Sequence, residues 1–269
     1  MKKIAFIGGG NMAASLIGGL VSNGWTAEYI IVSDPSVERL AYLQHTFGIQ
    51  TTQDNSAAAA YAEVIVLAVK PQVMQSVCMS LSEQVGSQLI ISIAAGIPCA
   101  VISQWLESQT VIRCMPNTPA LIGAGISGLF AAEAVSIEQR QLAETVLQGA
   151  GKVCWLAHEA QIDAVTAVSG SGPAYFFLLV EAMIASGEKL GLSRAIATEL
   201  AQQTALGAAK MLQQSQYDAA TLRQQVTSPQ GTTEAAINTF LQGGFMELTK
   251  QAVIAAATRS EELAQQFSQ

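Results

Sequence analysis

Apolar residues recur in two rhythms along this chain, and the rhythm changes near residue 160. Before that point, short β-rich runs alternate with amphipathic stretches. Ile4–Ile7, Tyr29–Val32, Val64–Ala68, Leu89–Ile93, Val111–Arg113, Ile126–Phe130 and Val153–Leu156 have strand length and strand composition. Ser36–Phe47, Gln72–Gln84 and Ile137–Gln148 read as helices between them, and the alanine run Ala57–Ala60 as a shorter one. Strands that alternate with helices predict a mostly parallel sheet covered on both faces and wound by right-handed crossovers. The expected fold is α/β, with an N-terminal Rossmann-type doubly wound domain over residues 1–160.

From 161 to 269 the β-rich runs stop. Ala-, Leu- and Gln-rich segments at 161–190, 194–214, 218–226, 232–241 and 245–266 predict an all-helical second domain, punctuated by Gly191, Pro229 and Gly243-Gly244. Its first helix is apolar around much of its circumference, so it needs to be buried. A domain of this size offers it little core. Two chains are therefore expected to pack these helices together as a homo-oligomer, a dimer through the helical domain that can build a higher assembly of dimers.

Composition removes several function classes. Half of the 269 residues are hydrophobic and 12% are charged, with a net charge of −7. That acidity argues against nucleic acid or an anionic membrane as the partner and leaves a small-molecule substrate. The apolar run after Met1-Lys2-Lys3 breaks after four residues, too short for a secretion signal. The uncharged stretch 164–180 is interrupted by Thr166, Ser169, Gly170, Ser171, Gly172 and Pro173, and reads as a buried helix rather than a membrane span. A soluble, cytoplasmic protein is expected. Cys78, Cys99, Cys114 and Cys154 have neither C-x-x-C nor zinc-finger spacing, so they read as reduced thiols and no metal site is expected.

The strand Ile4–Ile7 runs into Gly8-Gly9-Gly10-Asn11-Met12-Ala13, a G-x-G-x-x-A turn that opens a helix. Such a turn binds a dinucleotide. The first glycine permits the bend, the second lets backbone amides approach a pyrophosphate, and the helix N-terminus attracts its charge. Asp34 ends the second strand, where an acid bonds the adenosine ribose and favours NAD. Ser33, Ser36 and Arg39 around it could instead receive a 2′-phosphate. Asp34-Pro35 is equally readable as a helix cap followed by proline at the first helical position. NADPH and NADH both remain open.

Three further turns fall at the ligand-binding edge of the predicted sheet: Ala68-Val69-Lys70-Pro71, Ser92-Ile93-Ala94-Ala95-Gly96 and Cys114-Met115-Pro116-Asn117-Thr118-Pro119. Each is also compatible with an ordinary strand-to-helix turn. The only histidines, His45 and His158, have no carboxylate nearby in sequence, so no histidine acid or base is expected. In the helical domain, Ser169-Gly170-Ser171-Gly172-Pro173-Ala174-Tyr175 and Val226-Thr227-Ser228-Pro229-Gln230-Gly231-Thr232-Thr233 gather hydroxyls and turn residues. The second opens a helix whose free amides can hold a carboxylate, although Ser228, Thr232 or Thr233 could equally serve as a plain N-cap.

Together with Phe6-Ile7-Gly8-Gly9-Gly10-Asn11-Met12, these segments make the chain resemble pyrroline-5-carboxylate reductases nearly end to end, Val226–Thr233 most specifically. The resemblance implies reduction of the C=N bond of 1-pyrroline-5-carboxylate to L-proline by NADPH or, in some members, NADH. By the same resemblance, Ile7, Gly8, Gly9, Gly10, Asn11 and Met12 cradle the pyrophosphate, and Asn55 contacts the adenosine half, beside Ser33 and Asp34, a pair that varies across the family. Ala68, Val69, Lys70, Pro71, Ala94 and Ala95 line the nicotinamide side. Ser228, Gly231, Thr232 and Thr233 hold the substrate, with the Thr233 hydroxyl at the ring nitrogen. Gln230 stands where many members have glycine, which matters little if only its backbone is used. A β-hydroxyacid-type dehydrogenase would place a lysine where this chain has Phe176, and no other proton carrier replaces it. A non-catalytic dinucleotide sensor would have no need of Thr232-Thr233 at a helix start.

Overall fold

Successive residues of β1 (Ile4–Ile7) point to opposite faces of a sheet. Ile4 and Phe6 belong to one buried cluster, Ala5 and Ile7 to the other, and all four are fully buried. The computed structural model describes residues 1–267. After β1 come α1 (Asn11–Ser22), β2 (Ile30–Ser33), α2 (Val37–Phe47), β3 (Gln50–Thr52), α3 (Asn55–Tyr61), β4 (Val64–Leu67), α4 (Pro71–Leu81) and β5 (Leu89–Ser92). They are followed by α5 (Cys99–Leu106), β6 (Val111–Met115), β7 (Gly125–Ala131), α6 (Ile137–Gln148) and β8 (Gly151–Trp155). The sheet order is β3-β2-β1-β4-β5-β6-β7-β8, parallel throughout except for the β6–β7 pair.

The central strands β1, β2, β4 and β5 are buried along their whole length. That explains why they are unbroken apolar runs rather than alternating ones. The chain leaves β1 toward β2 on one side, and β4 lies on the other. The carboxyl ends of β1 and β4 therefore flank the topological switch point, the ligand crevice of an open α/β sheet. The pattern did not reveal β3 or α5. Gln50-Thr51-Thr52 is a polar edge strand, and the start of α5 is masked by the Pro98-Cys99 turn.

The helical region comprises α7 (Gln161–Val165), a π-helical turn at Thr166–Gly170, α8 (Gly172–Lys189), α9 (Arg194–Gln214), α10 (Ala219–Gln225), α11 (Thr232–Gln242) and α12 (Phe245–Phe267). The compact units divide at Ser171/Gly172 rather than at 160/161. The chain from Ala255 onward belongs with the sheet, while Gly172–Ile254 forms the second unit. The physical reason is that α7 and the π turn pack on the sheet: Val165 lies against Gly128 of β7, and Asp163 binds Ser260 of α12. Residues 268 and 269, the end of the expected helical domain, lie outside the described residues.

The expected burial of the first long helix is not met within one chain. Phe176, Phe177 and Leu178 of α8 are each about two-thirds exposed, and Gly172 is its only buried residue. The segment Gln161–Lys189 is long and apolar enough to cross a membrane by length and composition, yet such a helix also suits a subunit interface. Within the second unit, α8 and α9 form a hairpin that brings Gly187 against Ala197, where an added Cβ would stand 3.1 Å from that of Ala197.

Candidate active site

Gly8 adopts φ +100°, a conformation that L side chains rarely adopt. A Cβ there would also meet the Ala68 carbonyl carbon and oxygen at 2.8 Å. The loop after β1 thus packs directly against the end of β4, where Ala68 N–H donates to Ile7 O at 2.8 Å. Gly10 caps α1 without any side-chain hydrogen bond, and a Cβ at Gly10 would meet nothing within 4 Å. The space above Gly10 and the uncapped start of α1 fit a pyrophosphate. Asn11 is exposed beside it, while Met12 packs partly into the core.

Asp34 turns inward onto this loop. Its Oδ2 accepts the Gly9 amide at 2.8 Å and its Oδ1 accepts the Ser36 amide at 2.9 Å. Ser36, not Asp34, is the N-cap of α2, and its hydroxyl accepts the Arg39 amide at 3.2 Å. Pro35 accordingly lies outside the helix, which corrects the capping alternative read from Asp34-Pro35. Arg39 donates from Nε to the Gly9 carbonyl and stacks on the Tyr42 ring at 5.0 Å, while its buried Nη2 has no protein partner. Ser33 donates to Asn55 Oδ1 at 2.6 Å, so the fully buried end of β2 and the first residue of α3 meet as a pair.

Lys70 is exposed at the N-cap of α4, with Pro71 at the first helical position. Val69 packs on the core beneath them. Ala94 is buried and Ala95 half-buried after β5. Two further motifs meet in the same unit. Asn117 accepts the Ile126 amide at 3.0 Å and donates to Ser169 Oγ at 3.2 Å, so Met115–Pro119 and the Val168–Ser171 part of the second motif touch through it. His45 and His158 are both exposed. Among the described residues no group of three or more His, Cys, Asp or Glu could hold a metal ion.

In the second unit, Ser228-Pro229-Gln230-Gly231 forms a tight turn in which Gly231 N–H donates to Ser228 O at 3.0 Å. Gln230 sits at φ +59°, a conformation glycine adopts without strain, and only its backbone serves the turn. Gly231 caps α11 with no side-chain hydrogen bond. None of the Ser228, Thr232 and Thr233 hydroxyls caps the helix. The first intrahelical bond runs from Ala235 N–H to Gly231 O at 3.2 Å, so the amides of residues 232–234 precede the helical ladder. The Gly231 amide is used within the turn. That glycine contributes shape to the site, and outward donors begin at Thr232. Glu234, unmarked in the sequence reading, reaches back to accept the Gln230 amide at 2.8 Å. A glutamate at the third helical position is the signal that could have exposed this contact.

Residues 159–263 match the family model described as pyrroline-5-carboxylate reductase dimerisation, and residues 3–96 match that described as NADP oxidoreductase, coenzyme F420-dependent. The pyrroline-5-carboxylate reductase of Pseudomonas aeruginosa is 55% identical over 269 residues, covering 99% of this chain and 98% of that protein. That of Vibrio alginolyticus is 44% identical, covering 99% of both. A solved pyrroline-5-carboxylate reductase from Coxiella burnetii has a TM-score of 0.94 and 43% identity over 98% of each chain. The Plasmodium falciparum pyrroline carboxylate reductase solved with NADP bound has a TM-score of 0.87 and 28% identity over 98% of each chain. Sheet, glycine loop and uncapped α11 thus come together in one lineage, and the chain belongs to the pyrroline-5-carboxylate reductase family.

Proposed function

We propose that this protein reduces the C=N bond of 1-pyrroline-5-carboxylate to L-proline with NAD(P)H, the last step of proline biosynthesis. The observation that carries the assignment of the substrate site is the start of α11, where the amides of residues 232–234 precede the helical ladder and no side chain caps Gly231. A helix N-terminus of this kind binds a carboxylate without a basic residue.

The residues present fit the coenzyme. The Gly8–Gly10 turn leaves the space a pyrophosphate needs, since a Cβ at Gly10 has no neighbour within 4 Å. Ile7 to Met12 would hold that group, Ser33, Asp34 and Asn55 the adenosine half, and Ala68 to Pro71 with Ala94 and Ala95 the nicotinamide side. When bound in its reduced form, the coenzyme supplies a hydride.

The chain's own part is orientation. Ser228, Gly231 and Thr232 shape and donate to the carboxylate pocket, and Thr233 Oγ1 holds the ring nitrogen. The protonated imine is already electrophilic at its C=N carbon, on the side of the nitrogen away from the carboxylate-bearing carbon, so addition of hydride there yields the amine with no further proton carrier. Holding one ring face toward the donor supplies much of the acceleration, as it does for other oriented reactions. The same need for orientation explains why exposed His45 and His158 take no part.

The exposed apolar face of α8 supports a homodimer through the helical domain, and such dimers can join in a higher assembly. The protein acts as a soluble, cytoplasmic enzyme. The deciding experiment follows loss of reduced-coenzyme absorbance with and without pyrroline-5-carboxylate, first with NADPH and then with NADH, and identifies proline as the product. Coenzyme oxidation that is unaffected by pyrroline-5-carboxylate would sink the assignment.

A further inference from the structure

One charged residue stands inside the apolar strand β6. Arg113 is 3% exposed and lies beside Ser92 in the β5–β6 register. Its Nη1 donates to Glu159 Oε1 at 3.3 Å, and its Nη2 lies 4.0 Å from Asp163 Oδ1. The first is a hydrogen-bonded ion pair; the second is too long for a hydrogen bond and acts through charge alone.

Both carboxylates pass the constraint onward to the same loop. Glu159 Oε1 also accepts the Cys99 amide at 2.7 Å, satisfying an orphan donor at the start of α5 just after residues 93–98. Asp163 Oδ1 accepts the Ser260 hydroxyl at 2.7 Å, and Ser260 is 3% exposed. One turn on, α12 lies against Gly96. A Cβ on Gly96 would come within 3.3 Å of Leu263 Cβ and 3.5 Å of the Ala264 nitrogen. Gly96 holds φ +76°, so the loop bends there in a form that a side chain would strain.

We propose that Arg113 is a positioning residue for loop 93–98, acting through Glu159 on the Cys99 end and through Asp163, Ser260 and α12 on Gly96. The proposal rests on the reading of Ala94 and Ala95 as the nicotinamide wall. The loop backbone has few hydrogen bonds of its own, Ile93 N–H donating to Leu67 O at 3.1 Å and Ala94 N–H to Ser92 Oγ at 3.4 Å, and its apolar anchors are the buried Ala94 and Ile97. The clamp holds what the strand end alone leaves loose. Removing Arg113 would leave the buried Asp163 and the half-buried Glu159 carboxylates without their cation and threaten folding. Glu159 and Ser260 are the better places to intervene.

The test uses Glu159→Ala, Glu159→Gln and Ser260→Ala in the full chain, each checked for folding by its melting temperature. Two quantities are read. Hydrogen exchange of the amides of residues 93–99, without ligand, reports the loop directly. Affinities for NADPH and for adenosine 2′,5′-bisphosphate compare a ligand that reaches the nicotinamide wall with one that does not. Glu159→Ala and Ser260→Ala should speed exchange in this segment. They should weaken NADPH about 5-fold, the scale of one hydrogen bond, with the bisphosphate unchanged. Glu159→Gln keeps an oxygen for Cys99 N–H and should restore most of the slow exchange. Unchanged exchange at 93–99 in folded Glu159→Ala overturns the proposal, and so does equal weakening of both ligands. If the wild type fails to act on pyrroline-5-carboxylate, the substrate reading falls while the exchange measurement still decides this one.

Discussion

Asp34 and Gly9, 25 residues apart, share a 2.8 Å hydrogen bond that closes the end of β2 onto the coenzyme loop. The second Asp34 oxygen is taken by Ser36 N–H. The carboxylate therefore shapes the loop through two backbone amides before any ribose is considered. Asp34→Ala should raise KM for NADPH and NADH alike by about 10-fold, the loss of a charge-assisted bond. Steady-state kinetics with both coenzymes decides it. A change confined to one coenzyme would instead place Asp34 at the ribose.

Two glycines of the loop should fail differently. Gly8→Ala forces a Cβ into the Ala68 carbonyl at 2.8 Å and strains φ +100°, and should lower stability by about 2–4 kcal/mol. Gly10→Ala meets nothing within 4 Å, so its melting temperature should stay near that of the wild type. Its methyl group would occupy the pyrophosphate space and should weaken NADPH by about 10-fold or more. Thermal unfolding and fluorescence titration of the two variants separate these effects.

Thr233→Ala should lower kcat/KM by about 10- to 1000-fold, the range for losing one positioned hydrogen-bonding group. Thr233→Ser retains the hydroxyl and should recover most of the loss. Wild-type kinetics in a folded alanine variant would remove Thr233 from the mechanism.

Burial pushes the Cys78, Cys99 and Cys114 thiols from the ordinary 9.0 up to about 12, while Cys154 is exposed. Native protein should therefore react with about one equivalent of a thiol reagent per chain and denatured protein with four, because the thiolate is the nucleophile. The same shifts set the alkaline limit. Below pH 9 these thiols are protonated in both states. Above it the unfolded chain releases protons that the folded chain keeps, so stability falls as pH rises from 9 toward about 12. Cys114→Ala should flatten that decline in denaturant titrations.

The exposed pair Phe176 and Phe177, each 68% accessible, should be covered in solution. Light scattering at micromolar concentration should report at least a dimer for the wild type. Phe177→Asp should shift the population toward monomer, because a carboxylate would be buried unpaired at the contact. A wild-type monomer contradicts this expectation.

Much of this was legible in the residue pattern because it is local. Periodicity placed seven of the eight strands among the described residues, since continuous apolar runs report burial on both faces of a parallel sheet. Gly8-Gly9-Gly10 and Ser228-Pro229-Gln230-Gly231 announced their turns, because the backbone there demands particular residue types. The polar edge strand Gln50–Thr52 escaped because it buries too little to leave an apolar signature.

Long-range pairing was invisible for a different reason. Nothing near Asp34 in sequence says that its oxygens meet Gly9 and Ser36 rather than cap the helix. Likewise no spacing joins Arg113 to Glu159, Asp163 and Ser260, which lie on separate elements that only folding brings together. Residue order alone carried most of the elements, the class of fold and the chemistry of the turns. Tertiary structure decided which partner each polar group takes, because a buried hydrogen bond or charge is set by three-dimensional neighbours and desolvation rather than by distance along the chain.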